Sequence, residues 1–251
     1  METEKYLKEQ DRIARIAYTM FVDKGFGATS YGEIAKAAGI QKSLLQYYFP
    51  KKDIFIANFI QVTFQCVLNE TGLNSKSKVS KDFLQNIYFL AYFMFWYLTK
   101  WEKVEKLRTD VLSSRDYSKV AIDTVADWVI EVIPGANSSE AFSDKIRELI
   151  SCLIGGGFEY AYDQLLRNKD IDVAKIVDIA MGVLVMSVKS YGIPVLKTPK
   201  FKPVEQERLV ELAKIVDTNF FLEEEDNTIT DAEDAEQKAM EEFYRQMIAG
   251  I

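Results

Sequence analysis

Gln41, Lys42, Ser43, Leu44, Gln46 and Tyr47 stand within one short span, GIQKSLLQYYFPKK, over residues 39–52. Their side chains carry primary amides, an ammonium, a hydroxyl, branched methyls and a phenol. A glutamine amide matches the N6/N7 edge of adenine, a lysine ammonium matches O6/N7 of guanine, a serine hydroxyl adapts to either, and leucine methyls suit the thymine methyl. The hydroxyls of Tyr47 and Tyr48 are long enough to reach phosphate oxygens. Lys52 adds a cation where the next helix would begin, beside first-turn amides that also favour a phosphate. Ser30 and Tyr31, at the start of the preceding segment, complete the candidate set.

Other chemistries are excluded by what the chain lacks. It has 251 residues and no histidine, which removes Ser-His-Asp and Cys-His nucleophiles, HExxH zinc sites and histidine acid–base steps. No catalytic residue, metal site or cofactor is expected. Cys66 and Cys152 each lie alone in an apolar segment and read as two buried thiols. No apolar run is long enough to span a membrane, and the charged start, METEKYLKEQ, lacks the pattern of a signal peptide. A cytoplasmic location is the expectation. The net charge of −7 is uneven. Residues 1–55 hold nine Lys/Arg against seven Asp/Glu, a net +2, whereas residues 223–251 hold two against ten, a net −8. A mildly basic head on an acidic chain fits a local anion contact rather than bulk polyanion binding.

The elements that must position these groups are helical. Ile13, Ile16, Ala17, Met20 and Phe21 form one apolar stripe, and Gly25 is a natural stop. Ser30 and Glu33 fit a capping box opening a short helix over 31–38, and Gly39 is a left-handed C-cap candidate. A second short helix follows over 41–48, blocked by Pro50. Another starts at Lys52-Asp53 and runs toward Leu68. Two short helices joined at a glycine turn form a helix-turn-helix pattern. In it Ile34, Ala35, Ala38, Ile40, Leu45 and Phe49 face inward, and Gln41, Lys42, Ser43, Leu44, Gln46 and Tyr47 face outward. Longer helices are expected over 81–99, 102–133 with a split near Ser113-Ser114, 138–168, 172–191 and 203–222, with a short one over 232–248. No period-2 segment appears, so the fold class is all-α. The chain divides into 1–52, a three-helix head; 53–222, a larger helical bundle; and 223–251, an acidic linker with a short helix.

Residues 12–58 resemble the N-terminal domain of tetracycline-repressor (TetR) family transcription regulators. The resemblance rests on Ser30, Ile34, Ala35, Ala38, Gly39, Ile40, Tyr48, Phe49 and Lys52, and on the preceding Gly25-Phe26-Gly27-Ala28-Thr29. Gln41, Ser43 and Gln46 depart from the family's habit on the outward face, which points to an unusual operator sequence. Tyr48 stands where histidine is frequent. The resemblance implies a DNA reader followed by a helical effector-binding and dimerisation domain, and hence a homodimer on a near-palindromic double-stranded operator.

For the bundle the family pattern is silent on residues. The stretch 83–101 is dense in aromatics and apolar nearly all round, so its helix is central. Tyr88, Tyr92, Phe93, Trp96 and Tyr97 are candidates to line a pocket for a small apolar or aromatic ligand, with Trp128, Phe158, Tyr162 and Met186 completing its wall. Gly155-Gly156-Gly157 costs a helix roughly 2–3 kcal/mol of propensity relative to alanine. A kink, a helix approaching across a dimer interface, or backbone contact with a ligand would each account for it. The resemblance places dimerisation on the helices over 138–168 and 172–191, with Leu149, Leu153, Phe158, Ile176, Ile179, Val183 and Met186 as candidate contacts. The expected function is a ligand-released repressor. A regulator answering to a protein partner, and a helical lipid- or small-molecule-binding protein without DNA binding, are the alternatives.

Overall fold

The structure is a computed structural model that describes residues 2–73, 83–132, 139–190 and 200–221. Among the described residues every regular element is a helix, so the all-α reading holds. In chain order these are α1 (Glu2–Lys24), α2 (Tyr31–Ala37), α3 (Lys42–Tyr48), α4 (Asp53–Thr71), α5 (Phe83–Lys100), α6 (Glu105–Ser113), α7 (Arg115–Val132), α8 (Glu140–Leu166), α9 (Val173–Ser190) and α10 (Gln206–Phe220). A single 3-10 turn over Glu102–Val104 precedes α6. The expected helix over 232–248 and the acidic linker lie outside the described residues. No helix among the described residues is long and apolar enough to cross a membrane.

The head is built by local signals. Ser30 caps α2 by accepting from the Glu33 amide at 3.3 Å, while the Glu33 carboxylate accepts from the Ser30 amide at 2.7 Å. Lys24 and this backbone contact hold the Glu33 carboxyl down at about 2. Gly39 turns the chain with φ of 68°, a left-handed conformation that a Cβ disfavours. Arg12 in α1 donates to the Ala38 carbonyl at 2.9 Å and so ties α1 to the end of α2. Ile13, Ala17, Phe21, Ile34, Leu45 and Phe49 are fully buried beneath this hairpin.

α4 leaves the head and enters the bundle. Its sequence is apolar almost all round, and both sides are covered: Phe55, Phe59, Val62 and Phe64 are all buried. The split expected near Ser113-Ser114 is present, with α7 beginning at Arg115. α7 packs along α8, and α5 lies among α4, α9 and α10.

The helix expected over 203–222 is present as α10 and packs into the fold. α10 packs on α1, α4 and α5. Tyr18 meets Phe220 edge to face at 5.1 Å, and Arg15 donates to the Thr218 carbonyl at 2.7 Å. Inside this junction the buried Asp217 accepts from the Tyr97 hydroxyl at 2.7 Å and the Trp101 indole at 3.1 Å, with Lys103 at 3.7 Å.

One expectation needs correction. Cys66 is buried as expected, but Cys152 is exposed: it lies on the outward side of α8. The helix expected over 138–168 is present, and α8 runs through its three glycines from Glu140 to Leu166. A Cβ on Gly157 would come within 2.5 Å of the Phe95 ring, so close packing by α5 explains that glycine. Gly155 and Gly156 face open space.

Candidate nucleic-acid interface and ligand cavity

α3 sorts its side chains sharply. Leu45 and the C-cap residue Phe49 are fully buried, whereas Gln41, Lys42, Ser43, Leu44, Gln46 and Tyr47 are all exposed. Leu44 and Tyr47 are the apolar outliers of that face, 41% and 67% exposed. Gln41 is the N-cap residue, but its side chain makes no capping hydrogen bond, which leaves the amide unused by the helix. The structure therefore brings six of the candidate residues onto one solvent-facing surface.

The other four candidates are engaged within the head. Tyr31 donates its hydroxyl to the Phe49 carbonyl at 2.7 Å, and burial, followed by the Asp53 charge, pushes that phenol up to about 12. Ser30 serves as the α2 cap and remains exposed. Tyr48 is half-buried against Tyr6, ring centroids 4.8 Å apart, and Tyr6 also meets Tyr47 at 5.8 Å. α1 thereby braces α3. Lys52 donates to the Phe26 carbonyl and sits 4.0 Å over the Phe26 ring, and burial lowers its ammonium pKa. Its geometry fastens the start of α4 to the loop after α1.

Four further contacts join the head to the bundle. Tyr117 in α7 donates to the Asp53 carboxylate at 2.6 Å, and burial together with that hydrogen bond raises its phenol pKa. The Gly27 amide donates to Asp110 at 3.3 Å, Lys106 donates to the Asp23 carbonyl, and Phe26 meets Tyr117 edge to face. Sequence reasoning missed these residues, because such pairings cross between distant segments and leave no local pattern.

Inside the bundle lies a cavity of about 150 Å³. α4 contributes Phe59, Ile60, Thr63 and Phe64; α5 contributes Met94, Phe95 and Tyr97 among others; α7, α8 and α9 close it with Trp128, Phe158 and Met181. Of the sequence candidates, Tyr97, Trp128 and Phe158 are in this wall. Tyr88, Tyr92, Phe93, Trp96, Tyr162 and Met186 are not. Tyr88 instead stacks on Phe201 at 4.5 Å and donates to Asp178 at 3.0 Å. Phe93 is fully buried against Tyr97, Trp96 packs on Trp101, and Met186 is exposed. The expected helix lines the cavity, but mostly with another of its faces.

The family of bacterial regulatory proteins called tetR matches residues 13–57, the segment that carries the capping box, the glycine turn and α3. The chain is also 33% identical over 81 residues to IcaR of Staphylococcus aureus, the HTH-type negative transcriptional regulator of the biofilm operon icaADBC, in several strains. That alignment covers 32% of this chain and 44% of IcaR, so the chain spans less than half the length of the curated relatives it matches. Among solved structures, the chain is similar to SmeT, the repressor of the Stenotrophomonas maltophilia multidrug efflux pump SmeDEF. That pair has a TM-score of 0.47 and 15% identity over 77% of this chain and 97% of SmeT. It is also similar to the flavonoid-responsive regulator FrrA, with a TM-score of 0.44 and 19% identity over 73% of this chain and 96% of FrrA.

Beyond the head, the residues expected at a dimer face divide. On α9, Ile179 and Met186 are 58% and 65% exposed, and Val183 between them is half-buried. Leu149 and Leu153 on α8 are half-buried. Phe158 and Ile176 are buried within the protomer, so they present little surface to a second copy. A groove between α8 and α9 is lined by Cys152, Gly156, Tyr160, Lys175 and Ile179, several of which no sequence pattern singled out.

Proposed function

We propose that the protein is a homodimeric, sequence-specific transcription regulator that acts as a repressor in the cytoplasm and is released from its operator by a small, largely apolar ligand. The observation that carries the reading is the division of α3, whose hydrophobic residues Leu45 and Phe49 are sealed while six base- and phosphate-competent side chains stand free. In this reading each subunit lays α3 in a major groove of a near-palindromic operator. Gln41, Lys42, Ser43 and Gln46 address base edges, and Tyr47 a phosphate. Ser30, Tyr31, Tyr48 and Lys52 act chiefly by holding α3 in place.

A helix as short as α3 reads too few base pairs to be specific alone, which favours two heads on one duplex. The exposed Ile179 and Met186, with the small residues of α8 beside them, give a second copy an apolar face. The similarity of an 81-residue stretch to a negative regulator supports repression. Release by ligand needs the cavity to differ in affinity between two states. α4 is the element that supports such coupling, because it begins against α3 and continues as a cavity wall.

The test is an anisotropy titration of fluorescent duplexes from the region upstream of the coding sequence, over a salt series. The reading expects a falling log-log slope and loss of binding in the Lys42→Ala/Tyr47→Ala double variant. Binding that is indifferent to both substitutions removes α3 as the reader.

A further inference from the structure

The cavity has no charged residue in its wall, and its three polar side chains differ in one respect. Thr63 donates to its own helix, at the Phe59 carbonyl, at 2.7 Å. Tyr97 donates to Asp217, also at 2.7 Å. Trp128 is 9% exposed, and its indole N–H is buried with no acceptor among the described residues. The other two indoles do not share this position at the cavity: Trp96 and Trp101 are absent from the wall, and Trp101 donates to Asp217.

A buried donor without an acceptor is unusual in a folded protein, and its desolvation is uncompensated. A water there would find few partners, since it needs two to four and the only other polar side chains of the wall are the Thr63 and Tyr97 hydroxyls, which already donate elsewhere and offer only acceptor oxygens. A single acceptor atom carried by an otherwise apolar molecule meets both requirements. A charge on that molecule would be buried unpaired, which the wall disfavours. A cavity of about 150 Å³ suits one substituted aromatic or similarly small ring.

We propose that the cavity takes a neutral, single-ring-sized apolar compound bearing one hydrogen-bond acceptor, and that the Trp128 indole N–H is the donor that selects it. This rests on the ligand-responsive reading above and narrows it to a chemical class. Trp128 acts as a specificity residue: the apolar wall supplies affinity, and the indole distinguishes an oxygen-bearing compound from a hydrocarbon of the same shape.

Acetophenone and α-methylstyrene differ by C=O against C=CH2 at nearly constant shape. Calorimetric titration of the full chain with each should show acetophenone binding about tenfold more tightly, with the preference lost in Trp128→Phe. In protein labelled with 15N-tryptophan, one indole N–H resonance should move downfield with acetophenone and not with α-methylstyrene. Assignment through Trp96→Phe and Trp101→Phe places that resonance at Trp128 without relying on a Trp128 variant. Equal affinity for the two compounds overturns the donor role and leaves the cavity as a ligand site. A preference that survives in Trp128→Phe, or a shift at another indole, also overturns it. Saturable binding of neither compound removes the cavity as a site for this class, and the proposal with it, while leaving the DNA-reading proposal standing.

Discussion

Phe49 and Phe55 are stacked, ring centroids 4.0 Å apart and planes 24° from parallel, and both are fully buried. Phe49 is the C-cap residue of the reading helix, and Phe55 lies in the first turn of α4. One turn further on, Phe59 is part of the cavity wall. The Phe49–Phe55 stack thus links the end of α3 to the helix that lines the cavity. Phe49→Ala should destabilise the head by about 3–5 kcal/mol in urea denaturation. Phe49→Leu keeps most of the volume and should cost less than about 1.5 kcal/mol. If the stack transmits ligand binding, Phe49→Leu should retain operator binding but show a smaller ratio of affinities with and without ligand.

Asp217 joins α10 to Tyr97 and Trp101, and Tyr97 is a wall residue. Asp217→Ala should cost about 2 kcal/mol, because it leaves the buried Tyr97 hydroxyl and the partly buried Trp101 indole N–H unpaired. Burial raises the Asp217 pKa against the pull of Tyr97, Lys103 and Trp101. The stability contributed by such a group is fully present below the unfolded carboxyl value and is lost as pH rises through the higher folded value. Urea denaturation of wild type and Asp217→Asn from acid pH to neutrality should show wild type losing stability relative to the variant across that window.

Gly157 is where α5 presses against α8. An alanine there would push the Phe95 ring, itself half-buried in the cavity wall. Helix propensity favours alanine by about 1 kcal/mol, which offsets part of the repacking strain. Gly157→Ala should thus change the melting temperature little and weaken ligand binding by encroaching on the cavity. Gly155→Ala meets open space in the protomer and should leave ligand affinity unchanged. A calorimetric titration of both variants with the same aromatic ligand separates the two positions.

Ile179 stands 58% exposed at the centre of the α9 face. Ile179→Glu should leave the circular dichroism spectrum intact and shift the protein to a monomer in sedimentation velocity. Operator affinity should fall with it, since two half-sites would no longer be held by one particle. A wild type that is monomeric at micromolar concentration would contradict the dimer reading outright.

The head was legible because its signals are local. Ser30 with Glu33 three residues on, Gly39 at a positive φ, and Pro50 after α3 each dictate backbone geometry within a few residues. The inward set Ile34, Leu45 and Phe49 then follows from helical period. The cavity was less legible for a physical reason. α5 is apolar nearly all round, so its pattern carries no direction, and nothing in sequence separates Tyr88, held by Asp178, from Tyr97, held by Asp217. The ring of Phe95 reaches the cavity while its neighbour Trp96 does not, a choice made by packing of α8 and α9. Gly157 illustrates the same limit: propensity argues for a break, and the tertiary fit of Phe95 overrides it. The contact that anchors α10 was not legible either, because the Tyr97–Asp217 bond spans 120 residues.

The central claim is that the exposed face of α3 reads duplex DNA. The most direct measurement is selection of sequences by the purified full-length protein from a randomised duplex library, followed by anisotropy with wild type and Lys42→Ala/Tyr47→Ala. The account predicts enrichment of a near-palindromic site whose half-sites lie about one helical turn, roughly 10 base pairs, or a multiple of it apart. It also predicts loss of that binding in the double variant. Failure to enrich any sequence over a scrambled duplex at low salt, or full binding by the double variant, would contradict it.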